Sequence, residues 1–345
     1  EIMSTANTFI EEDGFGLKLC NKILARYTMT NKGKSSVRLI TWGAGIQSIK
    51  VPNDKGIIGD IVLGYDSMDG YLKNWYFGNA IGRIRNLVSP TNEDSECRSS
   101  KNHEGKHRFE NVNWESYVLG KEVVGLGMNV LLKILIFSWT DDNELHLNIR
   151  ASSTGPVPSN ITTRCLLNLA GHGTGPKELR NHVVTINASK WTFMDVRDRV
   201  STGAIRPVDS TIYDLRYPTQ LTRKRLRQVP GGGYDHNLCI DAPSSWCYRF
   251  HGRILHPGSG RFMEVYSNQP GVQFYTGNDL PEPRRTVEEI PGKDGVLYRR
   301  HGGFGISPQN YPNAINTEGF PTCILYPGKI YAHDMTYKFG TVRKI

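Results

Sequence analysis

The chain has 345 residues, of which 38% are hydrophobic, 22% charged and 10% aromatic, a globular balance that excludes a disordered or collagen-like protein. No apolar run exceeds four residues, as in Ile134-Leu135-Ile136-Phe137, far short of the ~20 that a membrane-spanning helix needs. Lys and Arg outnumber Asp and Glu by 42 to 33, so the net charge of +9 allows an acidic partner without specifying one.

From the N-terminus, Glu1 to Ala6 lacks the basic stretch and apolar run of a signal peptide, so none is expected. Leu39-Ile40-Thr41-Trp42 and Ile46 to Val51 flank Gly43-Ala44-Gly45 and read as two strands around a turn. Asp66 to Leu72 holds one helical turn, and no long amphipathic helix follows. Leu145, Leu147 and Ile149 alternate with polar residues just after the turn-like Thr140-Asp141-Asp142-Asn143. Tyr331, His333, Met335, Tyr337 and Phe339 share one face of a C-terminal strand. The 36 glycines supply the turns between such runs. There is no repeat of 20–50 residues, which argues against a propeller or solenoid, and no linker divides the chain. The expectation is an all-β fold, one large antiparallel β-sandwich over residues 1–345 whose loops carry the function. Trp42, Trp139 and Trp191 are expected in its core.

Six scattered cysteines (Cys20, Cys97, Cys165, Cys239, Cys247, Cys323) form no Cys-x-x-Cys pair. They read as free buried thiols in a reducing, cytoplasmic or nuclear, compartment. Asn160-Ile161-Thr162 and Asn187-Ala188-Ser189 fit the glycosylation pattern, but without a secretion signal their use is not expected.

Phosphate-loop, dinucleotide, nucleophile-elbow and His-Glu-x-x-His motifs are all absent. His103 and His107 are four apart in a segment without helical character, so no metal is expected there. Polar residues gather in Gly-rich segments: Gly82 to Asn86, Asn102 to Gly105, Asn160 to Gly173, Gly231 to Asn237, Gln269 to Asn278 and Gly302 to Asn316. Their amides, carboxylates, imidazoles and aromatic rings suit the hydroxyls and C–H faces of a sugar.

These segments together resemble the aldose 1-epimerase (galactose mutarotase) family over nearly the whole chain. The resemblance runs through Leu39 to Ile49, Asp60 to Asp66, Tyr76 to Arg83, Asn168 to Gly175, Gly233-Tyr234-Asp235-His236-Asn237, Gln273 to Asn278, Gln309 to Asn316 and Phe320-Pro321. It implies a galactose mutarotase-like supersandwich with an open cleft, no cofactor, and an ancestor that interconverts α- and β-aldoses.

That chemistry needs a base for the C1 hydroxyl and an acid for the ring oxygen. Where the family carries its acidic histidine, in Asn160 to Gly171, this chain has Arg164, with Thr163 before it. Where the family carries its basic glutamate, in Phe304 to Gln309, it has Ser307. The family's Asn-Arg substrate pair is Asn86-Leu87 here. Asp235 matches the substrate-binding aspartate, and His103 the second histidine, although Glu104 replaces a glycine beside it. With Gln309, these make the expected ligand-binding set Asn86, His103, Arg164, Asp235 and Gln309. Arginine cannot serve as a general acid near neutrality, and an unassisted serine is no base.

The main expectation is therefore a catalytically dead or strongly impaired homologue that binds a carbohydrate-like or anionic ligand, or a protein partner. Arg164 supplies a fork of donors for a carboxylate or phosphate, unless Glu104 pairs with it. The alternatives are an active aldose 1-epimerase, a protein-interaction scaffold with exposed apolar patches, and a nucleic-acid-associated basic protein. The last would use Arg223-Lys224-Arg225-Leu226-Arg227, Arg284-Arg285 and Arg299-Arg300-His301, with a solvated surface loop as the plainer account. Trp75 is expected at the cleft, His172 and His236 as structural hydrogen-bonding residues, and Cys165 as an activated thiol only if exposed beside Arg164.

Overall fold

The computed structural model describes residues 9–16, 24–73, 77–82, 109, 112–120, 123–128, 133–195, 201–282 and 290–342. In chain order the strands begin with β1 (Phe9–Gly14), β2 (Ala25–Thr30), β3 (Ser36–Ile40), β4 (Gly45–Pro52), β5 (Ile58–Asp60) and β6 (Ala80–Ile81), with helix α1 (Met68–Lys73) before β6. There follow β7 (Glu115–Gly120), β8 (Val123–Met128), β9 (Lys133–Trp139), β10 (Glu144–Ala151), β11 (Val157–Pro158) and β12 (Thr162–Thr163). After α2 (Gly175–Leu179) come β13 (Val183–Ile186), β14 (Lys190–Met194), β15 (Ser201–Pro207) and β16 (Thr219–Gln220). After α3 (Arg223–Gln228) come β17 (Asp235–Cys239), β18 (Arg249–Leu255), β19 (Arg261–Ser267), β20 (Gly271–Tyr275), β21 (Ile290–Pro291), β22 (Leu297–Tyr298), β23 (Gly305–Gln309), β24 (Ile324–Leu325) and β25 (Tyr331–Thr341).

The all-β expectation is met. A nine-stranded antiparallel sheet runs β16-β13-β18-β19-β25-β10-β9-β8-β7. Two five-stranded sheets run β1-β2-β3-β4-β5 and β15-β14-β17-β20-β23. The register follows from alternation. Along β10, Leu145, Leu147 and Ile149 are fully buried and lie opposite Tyr337, Met335 and His333 of β25. A one-residue slip would turn every one of these apolar groups to the other face. Residues of all three sheets, among them Val37, Ile49, Phe137, Leu147, Met335, Val272 and Phe274, meet in one apolar cluster.

Trp139 and Trp191 are buried as expected, but Trp42 is only half-buried, in the turn between β3 and β4 where it bridges to Asn113. Cys165, Cys239 and Cys323 are buried free thiols, whereas Cys247 is partly exposed, beyond the reach of the sheets in the segment before β18. Cys20 and Cys97 lie outside the described residues. The basic run at Arg223 is a helix rather than a loop. Thr222 caps it by accepting from the Arg225 N–H, and Leu226 anchors it in the core. No helix among the described residues is long and apolar enough to cross a membrane.

Candidate functional site

The strands β17, β20 and β23 build a polar surface by their register. Asp235 lies opposite Tyr275, Asn237 opposite Gln273, and Cys239 opposite Gly271. Across the next ladder Tyr275 lies opposite Gly305, Gln273 opposite Ser307, and Gly271 opposite Gln309. Directly opposed residues of antiparallel strands point to the same side. Asp235, Asn237, Gln273, Tyr275, Ser307 and Gln309 therefore share one face. The other face presents Leu238, Val272, Phe274 and Ile306 to the core. The sequence placed this chemistry on loops; it sits on strands. The reason is that both faces are covered, one by apolar and one by polar groups, so the usual half-exposed alternation is missing.

A short amide relay ends on the carboxylate. Gln309 Nε2 donates to Gln273 Oε1 at 3.5 Å, and Gln273 Nε2 donates to Asp235 Oδ1 at 2.7 Å. Gln273 and Gln309 are buried and Asp235 is half-buried. Nothing among the described residues donates to Asp235 Oδ2. Behind it, His236 packs against Trp191, Tyr213 and Tyr234, with ring centroids 5.8, 4.6 and 6.5 Å away. Its Nδ1 accepts from the Asp235 N–H at 3.0 Å. Burial depresses its imidazole to about 4, against the weaker pull of Asp235. His236 is thus a neutral structural ring, as expected, and it fixes the backbone that carries Asp235.

Arg164 enters from the side. β12 pairs with β6, Thr163 opposite Ala80. The next peptide is then pinned by Arg164 N–H to Asn79 O at 2.9 Å and by Gly78 N–H to Arg164 O at 2.6 Å. Its guanidinium carbon lies 5.3 Å from the centre of the Tyr275 ring, within cation–π range. Since Tyr275 faces Asp235 across the ladder, Arg164 flanks the carboxylate row. Ser307 is buried in the middle row, where its hydroxyl donates to Thr163 O at 2.8 Å. No carboxylate or imidazole stands opposite Ser307 on β20, only the amide of Gln273.

The structure thus brings Arg164, Asp235, Ser307 and Gln309 to one region. Asn86 and His103 lie outside the described residues, as do Trp75, Leu87, Glu104, His107 and Arg284-Arg285. Gln273 is the residue that sequence reasoning did not single out. Its part depends on facing Asn237 and Ser307 across two ladders, which spacing does not encode. Cys165 points away from an activated role: burial pushes its thiol up to about 12 despite the Lys293 cation nearby. His172 is tied to Tyr298 Oη and Asp294, each at 3.2 Å, in the structural part expected for it.

Comparison with known proteins converges on one family. Residues 25–108 and 134–338 match the family described as aldose 1-epimerase. A cattle protein named galactose mutarotase is 36% identical over 322 residues, covering 88% of this chain and 91% of that one. The human galactose mutarotase is 35% identical with the same coverage. The Escherichia coli aldose 1-epimerase is 25% identical over 337 residues, covering 90% and 94%. Among solved structures, an aldose epimerase homologue from C. elegans superposes with a TM-score of 0.76 at 22% identity, covering 90% of this chain and 97% of that one. A galactose 1-epimerase from Lactobacillus acidophilus also reaches 0.76, at 17% identity and 97% and 99% coverage.

Proposed function

The chain belongs to the aldose 1-epimerase family, and from that premise we propose that it binds an aldose against the Asp235 face and interconverts its anomers only at a strongly reduced rate. The observation that carries this reading is the Asp235 carboxylate. Gln273 holds one oxygen, and the other is clear of any donor among the described residues. A sugar hydroxyl donating to Oδ2 would complete it with a charge-assisted hydrogen bond.

The proposed loss of rate follows from the two positions beside it. Mutarotation moves a proton off the C1 hydroxyl and another onto the ring oxygen, and each proton-transfer group is typically worth ~10²–10⁴-fold. Arg164, at the acid position, holds its proton too tightly to release it near neutrality. Ser307, at the base position, spends its hydroxyl proton on Thr163 O and faces the Gln273 amide, not a base, across the ladder. Among the described residues, Asp235 is the carboxylate on this face.

The second reading is an active aldose 1-epimerase. It is favoured by relatives named galactose mutarotase that are 35–36% identical over most of both chains. Polarimetry on freshly dissolved α-D-glucose and α-D-galactose separates the two. The proposal expects a wild-type rate near the uncatalysed one, and a gain of about 10²-fold or more in the Arg164→His/Ser307→Glu double variant. A wild-type rate matching a family epimerase assayed alongside would establish the second reading instead. In either case Asp235→Asn should abolish aldose binding, measured by calorimetry.

A further inference from the structure

The basic run that the sequence singles out resolves into side chains with different tasks. Leu226 is buried in the core. Arg225 is turned inward, its Nε donating to Tyr234 Oη at 2.8 Å and its Nη2 to the carbonyls of Ile212 and Asp214. Arg223, Lys224 and Arg227 are exposed. Arg223 and Arg227 stand four apart on α3 and so share a face, a spacing at which like charges weaken a helix. The first turn of α3 also contains no acidic residue. Arg227, in the last turn, suits the helix dipole, but Arg223 in the first turn opposes it, so helix stability does not explain the pair.

A third arginine joins them through the end of the nine-stranded sheet. β16 pairs with β13, Gln220 opposite Val183. The Leu221 N–H donates to His182 O at 2.9 Å, and Gln220 Nε2 donates to Arg180 O at 3.1 Å. The residue that closes α2 is thereby held beside the start of α3. Burial, with the charges of Arg223 and Arg227, lowers the Arg180 guanidinium from its ordinary value. Arg180 Nε is buried with no acceptor. The carboxylate nearest in sequence, Glu178, is occupied by His256 at 3.1 Å and Asn181 at 3.0 Å. Among the described residues no carboxylate pairs with Arg180, Arg223 or Arg227, in contrast to Arg216, which is held by Asp209 and Asp214. Arg300, at the edge of this group, is engaged by the Gly231 and Gly232 carbonyls and by Glu282.

We propose that Arg180, Arg223 and Arg227 form a binding site for the phosphate group of a small molecule, separate from the Asp235 face. Guanidinium forks match the paired oxygens of a phosphate, and a dianion offsets a three-cation cluster better than a single carboxylate. Two arginines one helical turn apart are only ~5–6 Å apart at Cβ. That span suits one phosphate rather than the spaced phosphates of a nucleic-acid backbone, which a protein neutralises along a stripe.

The test is calorimetric titration of the full chain with inorganic phosphate, against chloride at matched ionic strength. Phosphate should bind more tightly than chloride. Arg223→Glu/Arg227→Glu should weaken it about tenfold or more, Arg180→Gln should also weaken it, and Arg227→Lys should retain part of the affinity. Asp235→Asn should leave phosphate binding unchanged. Melting curves on every variant confirm that the fold persists; Arg180→Gln and Arg227→Lys preserve the test should the double reversal fail to fold. Equal binding of phosphate and chloride, or no loss in the folded arginine variants, overturns the proposal. So does a clear change of phosphate affinity in Asp235→Asn, because removing that negative charge would strengthen an anion bound beside it and would place the phosphate on the aldose face. A single-stranded oligonucleotide that binds while inorganic phosphate does not would overturn the small-molecule assignment in favour of nucleic acid.

Discussion

Lys293 is an ammonium group in the interior, 5% exposed. Its Nζ donates to Asp60 Oδ2 at 2.6 Å and to Gln47 O at 3.0 Å. Asp60 in turn accepts from Ser48 Oγ and from the N–H groups of Ile49 and Val62. Burial holds the Lys293 ammonium below its ordinary value, while Asp60 draws it back. Removing one member of a buried pair leaves the other charge without compensation, which costs more than replacing both. Lys293→Met is therefore expected to destabilise the protein by about 3–5 kcal/mol in urea denaturation. The Asp60→Asn/Lys293→Met double variant should lose clearly less than its two single variants together. Strictly additive losses would show that the two side chains do not act as a unit. The pair lies close enough to Cys165 for both charges to act on its thiol.

At the scale of elements, Gly78 decides where Arg164 sits. Its φ of +81° is left-handed, and a Cβ there would stand 2.2 Å from Ile46 O, a backbone atom with no room to yield. The same glycine accepts from the Ile46 N–H and donates to Arg164 O. Gly78→Ala should cost about 1–3 kcal/mol from backbone strain alone, and more because Ile46 must move. Denaturation would measure the loss, and an unchanged midpoint would refute the assignment. What the sequence reveals about such elements depends on burial. β10 and β25 are legible because alternate side chains enter the core, as Leu145 and Met335 do. β17 and β20 read as turns because Asp235, Asn237, Gly271 and Gln273 interrupt the apolar pattern on a face that is polar yet covered. The positions of Arg164, Asp235, Ser307 and Gln309 can be anticipated from motif resemblance, but Gln273's hold on Asp235 and Ser307's bond to Thr163 arise only from register. The helix at Arg223 is equally hidden, since six residues are too few to display a helical period.

Over the described residues, four of the five buried histidines set the response to acid. Burial depresses His182 and His251 to about 3 and His236 and His333 to about 4. The surroundings suit neutral rings: His182 Nε2 accepts from the Leu169 N–H, and His333 bridges Ile161 O and Ser267 Oγ. In the unfolded chain each returns to about 6.5. The folded values lie below the unfolded ones, so between about pH 6.5 and 4 the unfolded state binds more protons and stability falls as pH falls. Full uptake of four protons gives a slope of about 5 kcal/mol per pH unit, against a total stability of about 5–15 kcal/mol for a typical protein. His182 lies between α2 and β13, His236 on β17, His251 on β18 and His333 on β25, so protonation strikes two sheets at once. The expected outcome is cooperative unfolding between about pH 6 and 4, before the carboxylates with lowered values, Asp13, Glu178, Asp214 and Asp334, are protonated. Urea midpoints at pH 7.5, 6 and 5 would check it: they should be flat above about pH 7 and fall steeply below 6. A midpoint that holds from pH 7.5 to 5 would mean that the folded histidines take up protons without loss of structure.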